Sequence, residues 1–141
     1  MKKNKFKMYI SPLTQLNLDN HSRIHTSDTR KIRRIVRDYK HRGYSASDTL
    51  LQWKKIKEGE TKYIFPFQNT ADMIINSALI YELSILKVYA EPLLFSVSED
   101  DPTYPEAIRL INLLRNILPM PSDTVPKESV LREFIGGSCF E

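Results

Sequence analysis

The sequence predicts an α/β chain that is predominantly helical, with two short parallel strands. Three observations carry that expectation. Apolar residues recur at helical spacing through most of the chain beyond residue 28. Residues 5–10 (KFKMYI) alternate, with Phe6, Met8 and Ile10 on one side and Lys5, Lys7 and Tyr9 on the other, the pattern of a strand packed on one face. Residues 71–76 (ADMIIN) form a short apolar run of the kind that is buried in parallel sheets.

Composition narrows the class. The 141 residues suffice for a domain with a modest core, and 41% hydrophobic with 27% charged residues is ordinary for a globular protein. A single cysteine, Cys139, can form neither an internal disulfide nor a structural zinc site, which predicts a reducing, cytoplasmic setting. No apolar run approaches the roughly 18 residues of a membrane span. The basic start, MKKNKFK, has no apolar stretch after it and is not a signal peptide. The net charge of +4 conceals an asymmetry: residues 1–62 hold 16 Lys and Arg against 6 Asp and Glu, whereas residues 63–141 hold 5 against 11. Either the two halves attract each other, or the first half binds phosphate or nucleic acid.

In chain order, the strand at 5–10 leads into a polar stretch, 11–27, without sustained period, which reads as a long loop. Residues 28–42 form a basic helix. Asp28 suits its first turn and Gly43 its left-handed stop. Ile32, Ile35, Val36 and Tyr39 make its apolar stripe, and Arg30, Arg34, Arg37 and His41 share the other face. A second helix begins at Ser45, which pairs with Asp48 as in a capping box, and ends at Gly59 with Leu50, Trp53 and Ile56 along its apolar edge. Pro66 predicts an extended stretch over 63–67. Residues 78–98 read as a helix with Leu79, Leu83, Leu86, Ala90, Leu93 and Val97 inward, kinked or broken at Pro92. Pro105 opens another, with Ala107, Leu110, Ile111, Leu114, Ile117 and Leu118 inward, ended by Pro119 and Pro121. A short helix from Pro126 turns Val130, Leu131 and Phe134 inward and closes on Gly136 and Gly137.

The sequence holds neither a G-x-x-x-x-G-K-[ST] phosphate loop nor a G-x-G-x-x-G fingerprint. His21 and His25 have helical metal-ligand spacing but lie in the loop with no third ligand marked, so no metal site is assigned. Gly136, Gly137 and Ser138 could form a small anion nest, although a helix C-cap is the commoner use. No nucleophile has a recognisable setting, and Cys139 reads as a bystander. What remains is the basic helix. Arginine binds phosphate bidentately and stays charged at any working pH, so a row of them suits a triphosphate or a nucleic-acid backbone.

Residues 28–43 (DTRKIRRIVRDYKHRG) resemble the lid segment of the uridine kinase and phosphoribulokinase family of P-loop kinases, whose pattern is D-T-R, then R-R-x-x-R-D and R-G. The likeness continues through Gln52 and Trp53 and through residues 71–75, similar to the last core strand of those kinases. Residues 129–138 (SVLREFIGGS) look like the tail of a bacterial subgroup of nucleoside kinases. Two departures stand out: Arg42-Gly-Tyr44 replaces the R-G-R of shorter uridine kinases, and the loop at 11–27 is longer.

The resemblance implies a fragment of a P-loop kinase fold: residues 1–76 as the C-terminal portion of the core with its lid, and 77–141 as a helical extension. It implies that Arg37 and Arg42 are catalytic lid arginines, that Arg30, Arg33, Arg37 and Arg42 contact ATP, and that Arg34 and Gln52 face a nucleoside acceptor such as uridine or cytidine. ATP and Mg2+ are then expected in a longer parent, whose phosphate loop and magnesium ligands would lie upstream. The 141-residue chain alone is expected to be inactive and to bind no cofactor tightly. Loss of neighbouring strands would leave a sheet edge open, predicting a homodimer or strand or helix exchange. A nucleic-acid-binding module or an oligomerisation module is the alternative, although no aromatic side chain interleaves with the arginine face as in single-strand binders.

Overall fold

In the structure, a computed structural model that describes residues 5–140, two strands pair in parallel: β1 (Met8–Ser11) and β2 (Met73–Asn76). Met8 lies opposite Met73 and Ser11 opposite Asn76. Between them run α1 (Thr26–Arg42), α2 (Ala46–Tyr63) and a 3-10 turn (Phe65–Thr70). After β2 come α3 (Glu82–Phe95), α4 (Tyr104–Arg115) and the single-turn α5 (Arg132–Ile135). The predicted class, two short parallel strands in a mostly helical chain, is what forms.

The core lies beneath α1. Ile32, Ile35 and Val36 pack with Leu83, Ile85, Leu86, Ala90 and Leu94 of α3, with Ala107, Leu110, Ile111 and Leu114 of α4, and with Leu131 and Phe134 near the end of the chain. Polar pairs lock the same contacts. Arg109 of α4 donates two hydrogen bonds to Asp28 at 2.6 and 3.0 Å, and Lys31 meets Glu106. The described residues before and after position 76 thus contribute to one core. At the sheet's end, the Asn76 side chain accepts from Leu13 N at 2.8 Å and donates to Leu13 O at 3.1 Å, fixing where the chain leaves β1.

Several boundaries and faces differ from the sequence expectation, each for a local reason. Of the first predicted strand, 5–10, only residues 8–10 are β, with the strand running on to Ser11, and the buried residues are Tyr9 and Ser11; Met8 and Ile10 are 59% and 60% exposed. The face bearing Tyr9 and Ser11 turns toward α1 and α2, while the other face is exposed. Strand β2, read as buried, leaves Met73 and Ile74 about half exposed because, among the described residues, only β1 pairs with it. Helix α2 passes through Gly59 to Tyr63, and the residues after it form a 3-10 turn instead of an extended stretch, since Pro66 fits a first helical turn, where its missing N–H costs nothing. Pro92 neither breaks nor ends α3 at once; the helix stops three residues later. Helix α4 ends at Arg115, leaving Leu118 exposed, and residues 126–131 make turns before α5, leaving Val130 partly exposed. Tyr39, in the last turn but one of α1, is 55% exposed: the buried stripe rotates toward Thr29 and Arg33.

Candidate functional site

Helix α1 positions the site. Gly43 ends it at φ 67, its N–H directed to the carbonyls of Asp38 and Tyr39. The capping box that opens α2, Ser45 with Asp48, then returns the chain at once alongside α1. Its hydrogen bonds from the Ser45 side chain and backbone hold the Asp48 carboxyl below the usual range. The result is a cleft of about 160 Å³ between the two helices, lined by Arg30, Arg33, Arg34 and Arg37 from α1, Trp53 and Glu60 from α2, Pro12 and Phe134. A larger hollow of about 420 Å³ adjoins it, sharing Arg30, Trp53 and Glu60 and adding Tyr9, Ser27, Lys57, Phe65 and Gln68 among its walls.

The arginines are not equivalent. Arg30 forms a fork-on-fork pair with Glu60, with Nη1 2.9 Å from Oε2. Arg33 is buried, 6% exposed; its Nε donates to Glu82 at 2.9 Å and its Nη2 to Ser77 O at 2.7 Å. Its guanidinium carbon lies 5.2 Å from the centre of the Phe134 ring. Burial pushes the Glu82 carboxyl up, and Arg33 only partly offsets this. These two pairs are neutral units.

Arg34, Arg37 and Arg42 differ because they share one carboxylate. Asp38 is 1% exposed and has Arg34 Nε at 3.2 Å, Arg42 Nη1 at 3.3 Å and Arg37 Nε at 3.4 Å. Arg37 also stands 4.0 Å from the exposed carboxylate of Glu133. Three guanidinium groups against one buried carboxylate and one exposed one leave surplus positive charge at this end of α1. Such a surplus can take an anion bearing several negative oxygens.

Of the residues singled out in the sequence, the structure brings Arg30, Arg33, Arg34 and Arg37 to one cleft. Arg42 is outside its lining and joins through Asp38. Gln52 is exposed on α2, and its neighbour Trp53 lines the cleft instead. His41 points to the C-terminal segment, Nε2 2.9 Å from Glu133 O. His21 is exposed in a turn and His25 precedes α1. No group of three or more His, Cys, Asp or Glu among the described residues is placed to hold a metal. The counter-ions Asp38, Glu60 and Glu82 and the wall residue Phe134 were not legible as site residues. Asp38 lay within the motif, but its burial did not show; Glu60, Glu82 and Phe134 lie 30 or more residues from the arginines they meet.

Comparison with known proteins bears on this segment. Residues 23–83 match the model of the phosphoribulokinase / uridine kinase family, a span that covers somewhat under half of the 141 residues and includes α1, α2 and β2. The match falls on the segment whose lid-like motif carries the resemblance noted above. No curated protein and no solved structure matches the chain.

Proposed function

We propose, from the premise that residues 23–83 are a phosphoribulokinase / uridine kinase family segment, that this chain is the C-terminal part of an ATP-dependent nucleoside kinase of the uridine or cytidine type. The observation that carries the reading is the sharing of Asp38 by Arg34, Arg37 and Arg42 beside an arginine-lined cleft within the matched segment. In phosphoryl transfer the protein contributes mainly position and preorganised positive charge for the equatorial oxygens of the transferred group. Arg37 and Arg42 supply that charge to the ATP phosphates, and Arg34 lies nearer the acceptor. Arg30 and Arg33, engaged one to one with carboxylates, orient the helix.

The described residues fit the phosphates of ATP but include no carboxylate cluster placed for magnesium. Magnesium and the phosphate cradle are therefore supplied, in this reading, by polypeptide outside the 141 residues, which contain no G-x-x-x-x-G-K-[ST] loop. The chain alone then binds ATP weakly, loses that binding with added salt, and does not turn over. A cytoplasmic setting accords with its single cysteine.

The test is direct. The purified chain is given radiolabelled ATP, Mg2+ and uridine or cytidine, and ATP binding is titrated in parallel at several salt concentrations. Weak, salt-sensitive binding that Arg37→Ala reduces, with no labelled nucleotide formed, is expected. Efficient phosphorylation by the chain itself overturns the partial-site reading. Binding that ignores ATP and grows with polynucleotide length moves the function to nucleic acid.

A further inference from the structure

We propose that the C-terminal segment 131–136 is a wall of the anion cleft, with Phe134 a positioning residue for the arginines and Glu133 an internal competitor for Arg37. The proposal rests on the nucleotide-binding reading above and extends it to residues outside the matched span.

The segment is built to lie against α1. Arg132 ties it down from within, donating to Ser122 O at 2.9 Å, Val125 O at 2.5 Å and Gly136 O at 3.2 Å. His41 meets Glu133 O at 2.9 Å. Gly136, at φ 90, lies against the flexible end of the Lys40 side chain. The His41 contact, together with the buried Leu131, fixes where the intervening residues fall.

Two of them reach the site. Phe134 is 6% exposed and lines the cleft with its ring across the guanidinium of Arg33, whose edge is held by Glu82 and Ser77 O. Arg33 is thereby restrained on its face as well as its edge, and it adjoins Arg34 and Arg37 in the same wall. Glu133, 4.0 Å from Arg37, is more than half exposed, so it can swing away when a stronger anion arrives. The ligand class is a polyphosphate whose oxygens replace the Glu133 carboxylate at Arg37.

The probe is inorganic tripolyphosphate titrated into the full chain. The readout is the fluorescence of Trp53, the single tryptophan, which lines the cleft. Glu133→Gln should tighten binding about two- to fivefold, the range for loss of an exposed competing charge, and steepen its salt dependence. Phe134→Leu should weaken it about threefold or more, whereas Phe134→Tyr, which keeps the ring, should bind as the unaltered chain does. Because Glu133 is exposed, its variant tests the proposal even if Phe134→Leu misfolds. Unchanged affinity in both Glu133→Gln and a folded Phe134→Leu, with the unaltered chain binding, overturns this inference and leaves the nucleotide reading standing. Absence of saturable tripolyphosphate binding by the unaltered chain overturns both.

Discussion

Replacing Arg33 by Met tests whether the base of the arginine face is set by a buried ion pair. The Arg33 side chain is 8% and the Glu82 side chain 1% exposed. Without the guanidinium, Glu82 faces a buried position as an uncompensated carboxylate, which it escapes by taking up a proton. From its ordinary value of 4.5 to pH 7, at 1.36 kcal/mol per pH unit, that protonation costs about 3.4 kcal/mol, which bounds the electrostatic loss. The sign follows from linkage. Burial already raises the Glu82 folded-state pKa, and losing Arg33 raises it further. Stability is therefore fully present below the unfolded value of 4.5 and is lost as pH rises through the folded value. Part of that rise is already present with Arg33 in place, so the variant should be worse, relative to the unaltered chain, at pH 7 than at pH 5 by at most about 2.5 kcal/mol. Urea unfolding followed by Trp53 fluorescence at both values measures it, and Arg33→Met with Glu82→Gln should lose the pH dependence. A deficit equal at both pH values would refute the buried-pair argument and leave only lost packing.

Glu106 predicts the opposite limb. Hydrogen bonds from Arg109 above all, then contacts with Lys31, hold its carboxyl down to about 2 against the opposing effect of burial. Its contribution is present above the ordinary 4.5 and lost as pH falls from there toward 2. Glu106→Gln should flatten this acid limb by about 1 kcal/mol, a figure reduced for its partial exposure, and thermal melts between pH 2 and 5 would show no change if the network is idle. Two glycines should respond in opposite directions although neither has an atom within 4 Å of an added Cβ. Gly43→Ala must hold φ 67 and should lose about 1–2 kcal/mol, whereas Gly59→Ala, inside α2, should gain about 0.5–1 kcal/mol by calorimetry. Finally, the two-stranded sheet leaves both outer strand edges open beside exposed Met8, Ile10 and Met73, which predicts association of two copies; light scattering should detect dimers that Ile10→Lys weakens, and a monomer at all concentrations would count against it.

What the sequence made legible was local. The stop at Gly43, the Ser45–Asp48 box and the proline-led start of α4 each depend on residues within a few positions, and each formed as read. The α1 stripe was legible at its centre, where Ile32, Ile35 and Val36 are buried, and failed at Tyr39, because the buried stripe rotates toward Thr29 and Arg33. Which face of β1 would pack was not legible at all. Met8 and Ile10 are more apolar than Tyr9 and Ser11, yet the face that packs is decided by where α1 and α2 return over the sheet. The arginine row was visible, but its division into neutral pairs and surplus charge was not. Arg30 finds Glu60 and Arg33 finds Glu82 only after the chain has folded back.

That division reconciles the two readings of the basic half, as a partner for the acidic half and as an anion site. Toward the N-terminus of α1, Asp28 takes Arg109, Lys31 takes Glu106, Arg30 takes Glu60 and Arg33 takes Glu82, so this half of the helix is spent on holding the fold together. Toward the C-terminus, Arg34, Arg37 and Arg42 crowd the single buried carboxylate of Asp38. This is the negative end of the helix dipole, where cations are stabilised and an anion gains nothing from backbone N–H groups. An anion held here must be held by cationic side chains, without backbone N–H groups. Such binding is strongly salt-dependent and easily reversed, unlike capture at a helix N-terminus, where backbone N–H groups meet the anion directly. An element that supplies charge to a phosphate anchored elsewhere needs those properties, and one that anchors the phosphate by itself does not. The placement of the surplus on α1 therefore accords with the proposed role, a contributor to a larger phosphate site.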